Sequence, residues 1–446
     1  MLKQGLPVAI ESALKRRYTD LTIGPIGALA FCALIFLVFW LRRPESLLHA
    51  SFWAEDGGVY FHDQLTLGFW RTLIRPYNGY LNTIDRLIAG AVSPLPFRWT
   101  PTGYSFCAIL VQAVSCGVFF FPDFRWIIKS DALRAACCLA AAMVIPTSVE
   151  LIGTLCNLHW YLTILSFALL AMGGRATTSK ALEICGMVVQ VVIALSAPTT
   201  LLLLPFLLWQ LKTKPAWLKV RPAIHLAALG LQVWVMLRFP MPGPKPKLHF
   251  NTLFLSTLSG GVSRCVLAPA IGARFLLRDT DVALFTKMVI ALILCVALLT
   301  WVILRLHHSP RIWILLSALY VGAGSVLMAM VGRNFGPGFL SAYGITHFPA
   351  PRYFFVGACM FIFCLAFSID ALTAQMKPRL AVLLLSAAFA LGAVRNFAYP
   401  PVSDFDWPEN AAKLETWQIA RQRHEKAGVV SFPINPPGWN LVFDDN

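Results

Sequence analysis

Charge is what this sequence has least of. Only 13% of its 446 residues are Asp, Glu, Lys or Arg, while 58% are hydrophobic and the mean hydropathy is +0.68. Soluble domains carry about 25% charged residues, so a soluble globular chain is excluded. A closed barrel is excluded next, because the apolar runs lack the period-two alternation that lipid-facing strands need. In lipid only barrels and helices satisfy the backbone, which leaves helices. No CxxC occurs among the 11 cysteines, most of which lie inside apolar runs, with Cys265 nearly alone outside them. Neither a disulfide framework nor a metal knuckle is indicated. Walker, GxSxG, HExxH and EF-hand patterns are also missing. The span centres hold almost no ionisable residues, since Glu183, Lys287 and Asp370 sit near ends. Ion-coupled transporters keep charge near the midplane, so that absence counts against transport.

Acidic residues are scarce too, 21 against 37 basic ones, for a net charge of +16. The basic residues fall in short clusters between apolar runs, the pattern of cytoplasmic loops rather than of nucleic-acid binding. Lys15-Arg16-Arg17 precede the first apolar run, and no small-residue cleavage site follows it, so that span is expected to stay. About eleven runs suit spans of ~30 Å of hydrocarbon: 24–41, 103–121, 135–146, 158–172, 182–195, 201–211, 222–239, 282–304, 312–331, 353–370 and 380–395. Pro198 and Pro205 interrupt 182–211, which reads as two short spans or one kinked span. With two, Arg125, Lys129, Arg134, Arg175, Lys180, Lys212, Lys214, Lys219, Arg221, Arg305, Arg311, Lys377 and Arg379 all fall on one side. The positive-inside rule makes that side cytoplasmic. The expected protein is an all-α polytopic membrane bundle spanning 1–395, with its N-terminus inside and a short outer tail, 396–446. Its other outer segments are 42–102, 240–281 and 332–352. Leu81, Ile84, Leu87, Ile88, Ala91 and Leu95 recur at helical spacing, which suits an interfacial helix after the Pro76-Tyr77-Asn78-Gly79 turn.

Three constellations could carry chemistry. The first outer segment opens on Trp53-Ala54-Glu55-Asp56-Gly57-Gly58, with Phe52, Trp53, Tyr60 and Phe61 expected to anchor it at headgroup depth. A carboxylate there could deprotonate an acceptor hydroxyl. Asp56 is the favoured base because it precedes two glycines, and Glu55 could orient the acceptor or hold a divalent cation. The structural alternative is a helix cap or Asp-Gly turn. The second constellation is basic: Lys245, Lys247, Arg264, Arg274, Arg278, Arg333 and Arg352, with His347 in the same outer segment as Arg333. Arg333 and Arg352 flank spans where a phosphate would sit, and the planar guanidinium fork suits phosphate oxygens. Lipid-headgroup anchoring is the alternative. The third is Glu150 with Asn157, His159 and Trp160, placed to bind a sugar or to brace the acidic corner. Asp85-Arg86 offers an ion pair or a phosphate contact by Arg86.

An acidic pair in the first outer loop, interfacial helices after it, an odd number of spans and outward arginines resemble the GT-C superfamily of membrane glycosyltransferases. Trp53-Ala54-Glu55-Asp56-Gly57, Asn157-Leu158-His159-Trp160 and Ile434-Asn435-Pro436-Pro437-Gly438-Trp439 look like a bacterial subgroup that decorates surface glycans or pilins, pilin arabinosyltransferases among them. The resemblance implies a sugar donor on a polyprenyl-phosphate carrier, a glycan or protein acceptor, and an inverting transfer on the periplasmic face of the bacterial inner membrane. Larger relatives carry a big soluble domain after the last span. About fifty residues stand there in this sequence, which favours transfer of one sugar over transfer of an oligosaccharide. The rival readings are a transporter or flippase of lipid-linked glycans, a non-catalytic assembly factor, and a glycan polymerase or ligase.

Overall fold

The computed structural model describes residues 24–145, 149–172, 180–214, 219–240, 250–276, 281–332, 351–372, 378–398 and 402–444. Eight of their helices are long and apolar enough to cross a membrane, with a ninth candidate in a bent pair. The chain begins with α1 (Pro25–Arg42), whose proline sits in the first turn, where a missing N–H costs nothing. The short amphipathic α2 (Thr83–Val92) precedes α3 (Thr100–Gly117), α4 (Asp131–Met143) and α5 (Leu158–Met172). Next come α6 (Lys180–Ala194), α7 (Leu204–Thr213) and α8 (Val220–Arg238). After α9 (Leu253–Ile271) the long helices α10 (Asp281–Leu306), α11 (Arg311–Gly332), α12 (Phe355–Leu372) and α13 (Pro378–Asn396) complete the bundle. Their outer faces carry bare apolar side chains: Val282, Phe285, Ile293, Leu294 and Leu304 of α10 are all exposed. In water such a face would be a liability; in lipid it is the solvent-matched surface.

Each of the eleven sequence-expected spans is a helix, but α4 and α5 are shorter than a full crossing needs, and two further details differ. The stretch 182–211 is two helices bent by 115° at the break before Pro198. Thr83 N donates to Leu195 O at the bend, while Gln210 Nε2 donates to Leu170 O and Arg221 Nη1 to Leu169 O far from it. The bend therefore lies at the face that carries α2, and the chain runs up through α6 and down through α7. The second difference is α9, which falls in a segment expected to be an outer loop. Its serines hid it, yet two of them are satisfied locally, Ser259 Oγ donating to Ser256 O and Ser263 Oγ to Gly260 O. The helix inserts between α10, α11 and α12 and returns to the α2 face, where Ala273 N donates to Asn396 Oδ1.

That face is tied together by buried polar groups. Arg42, closing α1, donates to Ala142 O, Ile145 O and Asn396 O, the free carbonyls at the ends of α4 and α13. Asn396 Nδ2 reaches Val144 O and Ala268 O as well. At the opposite face Arg311 pairs with Asp370 at 2.7 Å. The tail forms α14 (Trp407–Gln422) and an antiparallel hairpin of β1 (Val430–Ile434) and β2 (Trp439–Phe443). It folds onto the first outer segment: Phe52 stacks with Phe61 at 4.7 Å, and Trp407 meets Phe52 edge-on at 4.7 Å. Phe52, Trp53, Tyr60 and Phe61 are thus core residues of this junction, 8% exposed or less, and not headgroup anchors. Two of their aromatic partners, Trp407 and Phe443, lie far along the chain, beyond the reach of local reasoning.

Candidate active site

The site is built where the first outer segment meets the tail and the turn before α5. Asn435 holds the junction: its N–H donates to Phe52 O at 3.0 Å, its carbonyl accepts from Ala54 N, and its amide donates to Ser51 Oγ and Ser403 O. Ala54 is forced to φ +32°, a conformation that costs a residue with a Cβ about 1–3 kcal/mol. The kink separates the fates of the two carboxylates that follow it. Glu55 emerges half-buried on the wall of a cavity of about 280 Å³. Asp56 turns inward and starts a π-helical turn, Asp56–Phe61.

Asp56 is 3% exposed and its two oxygens accept from Leu155 N at 3.0 Å and Cys156 N at 2.8 Å. Burial pushes its carboxyl up to about 7 against the pull of those donors. Gly57, expected to admit an acceptor, is required by packing: a Cβ there would lie 2.9 Å from Phe52 Cβ and 3.1 Å from Ile434 Cδ1. Asp56 is thus bonded inward to the turn before α5, and Glu55 faces the open space.

The cavity has four walls. Glu55 and Trp53 form one, and Tyr77, Asn78 and Tyr80 a second. Glu150, Cys156, Asn157, His159 and Trp160 form the third, and Arg352, Tyr353, Pro436 and Trp439 complete the lining. The Tyr77–Tyr80 wall is a tight turn with Asn78 and Gly79 at φ +52° and +85°, closed by Tyr77 N donating to Tyr80 O. Asn82 Nδ2 supports it from below through Tyr77 O and Tyr80 O, and Tyr60 Oη donates to Asn82 Oδ1. The turn before α5 is bound by Gln112, which donates to Leu151 O and accepts from Gly153 N. Asn157 donates its amide Nδ2 to Glu150 O and Thr154 Oγ1 while also lining the cavity. His159 Nδ1 lies 3.1 Å from Cys156 O, which can only accept. In its neutral form the ring therefore carries its hydrogen on Nδ1 and offers Nε2 as an acceptor, suited to a hydroxyl.

Arg352 pairs with Glu150 and reaches Tyr353 Oη. With five N–H donors its guanidinium has the capacity to bond a carboxylate and an anion together. In the first turn of α12, four residues after Tyr353, Gly357 borders a separate apolar groove of about 400 Å³. Met360, Phe361 and Cys364 of α12, Phe254 and Val262 of α9, and Leu319 of α11 line it.

Besides Asp56, two expected residues do not reach the cavity. Arg86 is fully buried under Tyr60 and pairs with Asp63 at 2.7 Å, and Arg75 completes the cluster at 3.0 Å. It is neither Asp85's ion-pair partner nor a phosphate ligand on this geometry. Arg264 is buried within α9, away from the cavity lining. Arg333, His347 and Lys247 lie outside the described residues, and the side chain of Arg274 and all of Arg278 do too. Among the described residues no three His, Cys, Asp or Glu side chains gather as a metal site would require. Tyr77, Tyr80 and Trp439 are site residues that sequence reasoning gave no role. The Asn-Gly pair next to Tyr77 was the available signal.

No family model matches the chain, and no curated protein matches it in sequence. Among solved structures it is similar to ArnT from Cupriavidus metallidurans bound to undecaprenyl phosphate. That match has 13% identity and a TM-score of 0.40, covering 88% of this chain and 79% of that one. At those values the likeness carries no residue role across.

Proposed function

We propose that this membrane protein is a glycosyltransferase that moves a single sugar from a polyprenyl-phosphate carrier to an acceptor hydroxyl, with Glu55 as general base. One observation carries the reading: a cavity-facing carboxylate and an arginine share one polar chamber, and the turn that holds the arginine leads directly into α12, which borders an apolar groove. A lipid-linked sugar needs those three environments in that order. Its polyprenyl tail lies in the groove beside Gly357 and Phe361, its phosphate against Arg352, and its sugar in the chamber.

In the reaction Glu55 takes the acceptor's proton as the acceptor oxygen attacks the anomeric carbon. The bond from that carbon to the phosphate oxygen breaks, the leaving polyprenyl phosphate gains charge, and Arg352 neutralises it. Attack from the face opposite the phosphate inverts the sugar. His159 accepts a hydroxyl of the bound ring, while Asp56, Gln112 and Asn157 keep the turn under it rigid. A chamber of about 280 Å³ lies at the small end of ligand pockets, roughly 300–1,000 Å³, which supports one sugar rather than an oligosaccharide. The lysines and arginines at the opposite ends of the helices, Lys212, Lys214, Lys219 and Arg305 among them, support a cytoplasmic placement of that face and an extracytoplasmic site.

Purified protein in nanodiscs, given polyprenyl-phosphate-linked sugars, should release free polyprenyl phosphate. The same protein in vesicles should leave intact donor on the leaflet where it was placed. Movement of intact donor between leaflets with no release would replace this reading with a flippase.

A further inference from the structure

Trp439 is the tryptophan of the tail that folding does not use. Trp407 and Trp417 are 2% and 3% exposed, and their indoles donate to Phe97 O at 2.8 Å and Gly428 O at 3.0 Å. The hairpin fills its inner face with Phe432, Ile434, Leu441 and Phe443. Trp439, at the first position of β2, remains 41% exposed on the rim of the chamber beside Pro436. Its backbone is fixed nonetheless: Trp439 N donates to Pro436 O, and neighbouring Asn435 is bonded into the first outer segment on three sides.

A rigidly placed, half-exposed aromatic ring at the edge of a polar cavity suits a ligand with one apolar face and a polar rim. A sugar ring has that form, presenting a layer of C–H groups on one face and hydroxyls around its edge. Tyr77, Asn78, Tyr80 and His159 supply donors and acceptors for the edge, and aromatic faces attract the slightly positive hydrogens of the C–H layer. We infer that Trp439 is the stacking platform for a sugar ring, and that the C-terminal hairpin is a specificity element of the site. This deepens the glycosyl-transfer reading and rests on it for the identity of the site. The rival explanation is an indole anchoring the tail at the membrane interface.

Binding tests this without turnover, so a failed reaction and a failed platform remain distinguishable. Full-length protein in nanodiscs would be probed by saturation-transfer NMR with methyl β-glucoside, methyl β-galactoside and methyl β-N-acetylglucosaminide. Ring C–H protons of at least one probe should receive saturation, Trp439→Ala should weaken that probe about tenfold, and Trp439→Phe should restore most of the loss. Adding polyprenyl-phosphate-glucose separates the sources. Displacement of the probe assigns the platform to the donor sugar, and persistence assigns it to the acceptor. No saturation of any probe by the wild type, or equal binding by wild type and Trp439→Ala, overturns the inference. So does a loss in Trp439→Phe as large as in Trp439→Ala with a lowered melting temperature, because that marks a structural role.

Discussion

Glu55 and Asp56 are adjacent carboxylates in different solvents, and the difference comes from one backbone angle at Ala54. A buried carboxylate that accepts from two backbone N–H groups is hard to replace even by its amide. An asparagine in its place would turn its NH₂ toward one of those donors, and a buried unsatisfied donor costs about 1–3 kcal/mol. Asp56→Asn should therefore lower the melting temperature, where a helix-capping role would leave it nearly unchanged. The pH dependence has a definite sign. Because burial raises the Asp56 carboxyl to about 7, the folded protein holds a proton that the unfolded chain releases near the ordinary carboxylate value. Stability from this group is greatest at acid pH and falls as pH rises toward 7. Melting curves between pH 5 and 8 should show that fall in the wild type and a flatter profile in Asp56→Asn. At Arg352 the informative change is to lysine, which keeps a positive partner for Glu150 but loses the planar fork. Arg352→Lys should raise the KM for a polyprenyl-phosphate sugar by about tenfold or more, as losing a hydrogen bond to a charged group costs about 1.5–3 kcal/mol. Unchanged donor kinetics would leave Arg352 as a structural partner of Glu150.

Among the elements, those that sequence reasoning found are the ones whose signal is local. Apolar runs located the helices of the bundle, Pro198 marked the bend, and Asn78-Gly79 marked the turn beside the cavity. Whatever depends on distant pairing stayed hidden. The tail was expected as a short outer segment, yet it packs Trp407 against Phe52 and bonds Asn435 to Ala54. The inward turn of Asp56 follows from donors at Leu155 and Cys156, a hundred residues on. Helix α9 was missed because its serines and Arg264 lower its hydropathy to 1.3, although their polar groups turn onto nearby carbonyls or are buried. Its fit is close: a Cβ at Gly392 would collide with the Pro269 carbonyl. Gly392→Ala should therefore cost several °C in melting temperature, since overpacking typically costs about 1–3 kcal/mol. An unchanged melting curve would place the end of α9 farther from α13.

For the whole molecule, the polar chamber sits on one face of a bundle whose other face carries the short basic loops. Maleimide labelling of single cysteines at positions 439 and 214 in intact cells should find position 439 accessible and position 214 protected, and labelling of both from one side would end this orientation. The central claim is narrower: the chamber catalyses transfer with Glu55 as its base. It is tested most directly by single-turnover release of polyprenyl phosphate from a saturating lipid-linked donor by Glu55→Gln and Asp56→Asn, side by side in nanodiscs. Removing a general base costs about 10²–10⁴-fold. Glu55→Gln should lose activity on that scale with an unchanged melting temperature, while folded Asp56→Asn should retain the larger share of its rate. Full activity in Glu55→Gln, or a greater loss in fully folded Asp56→Asn, would contradict the account.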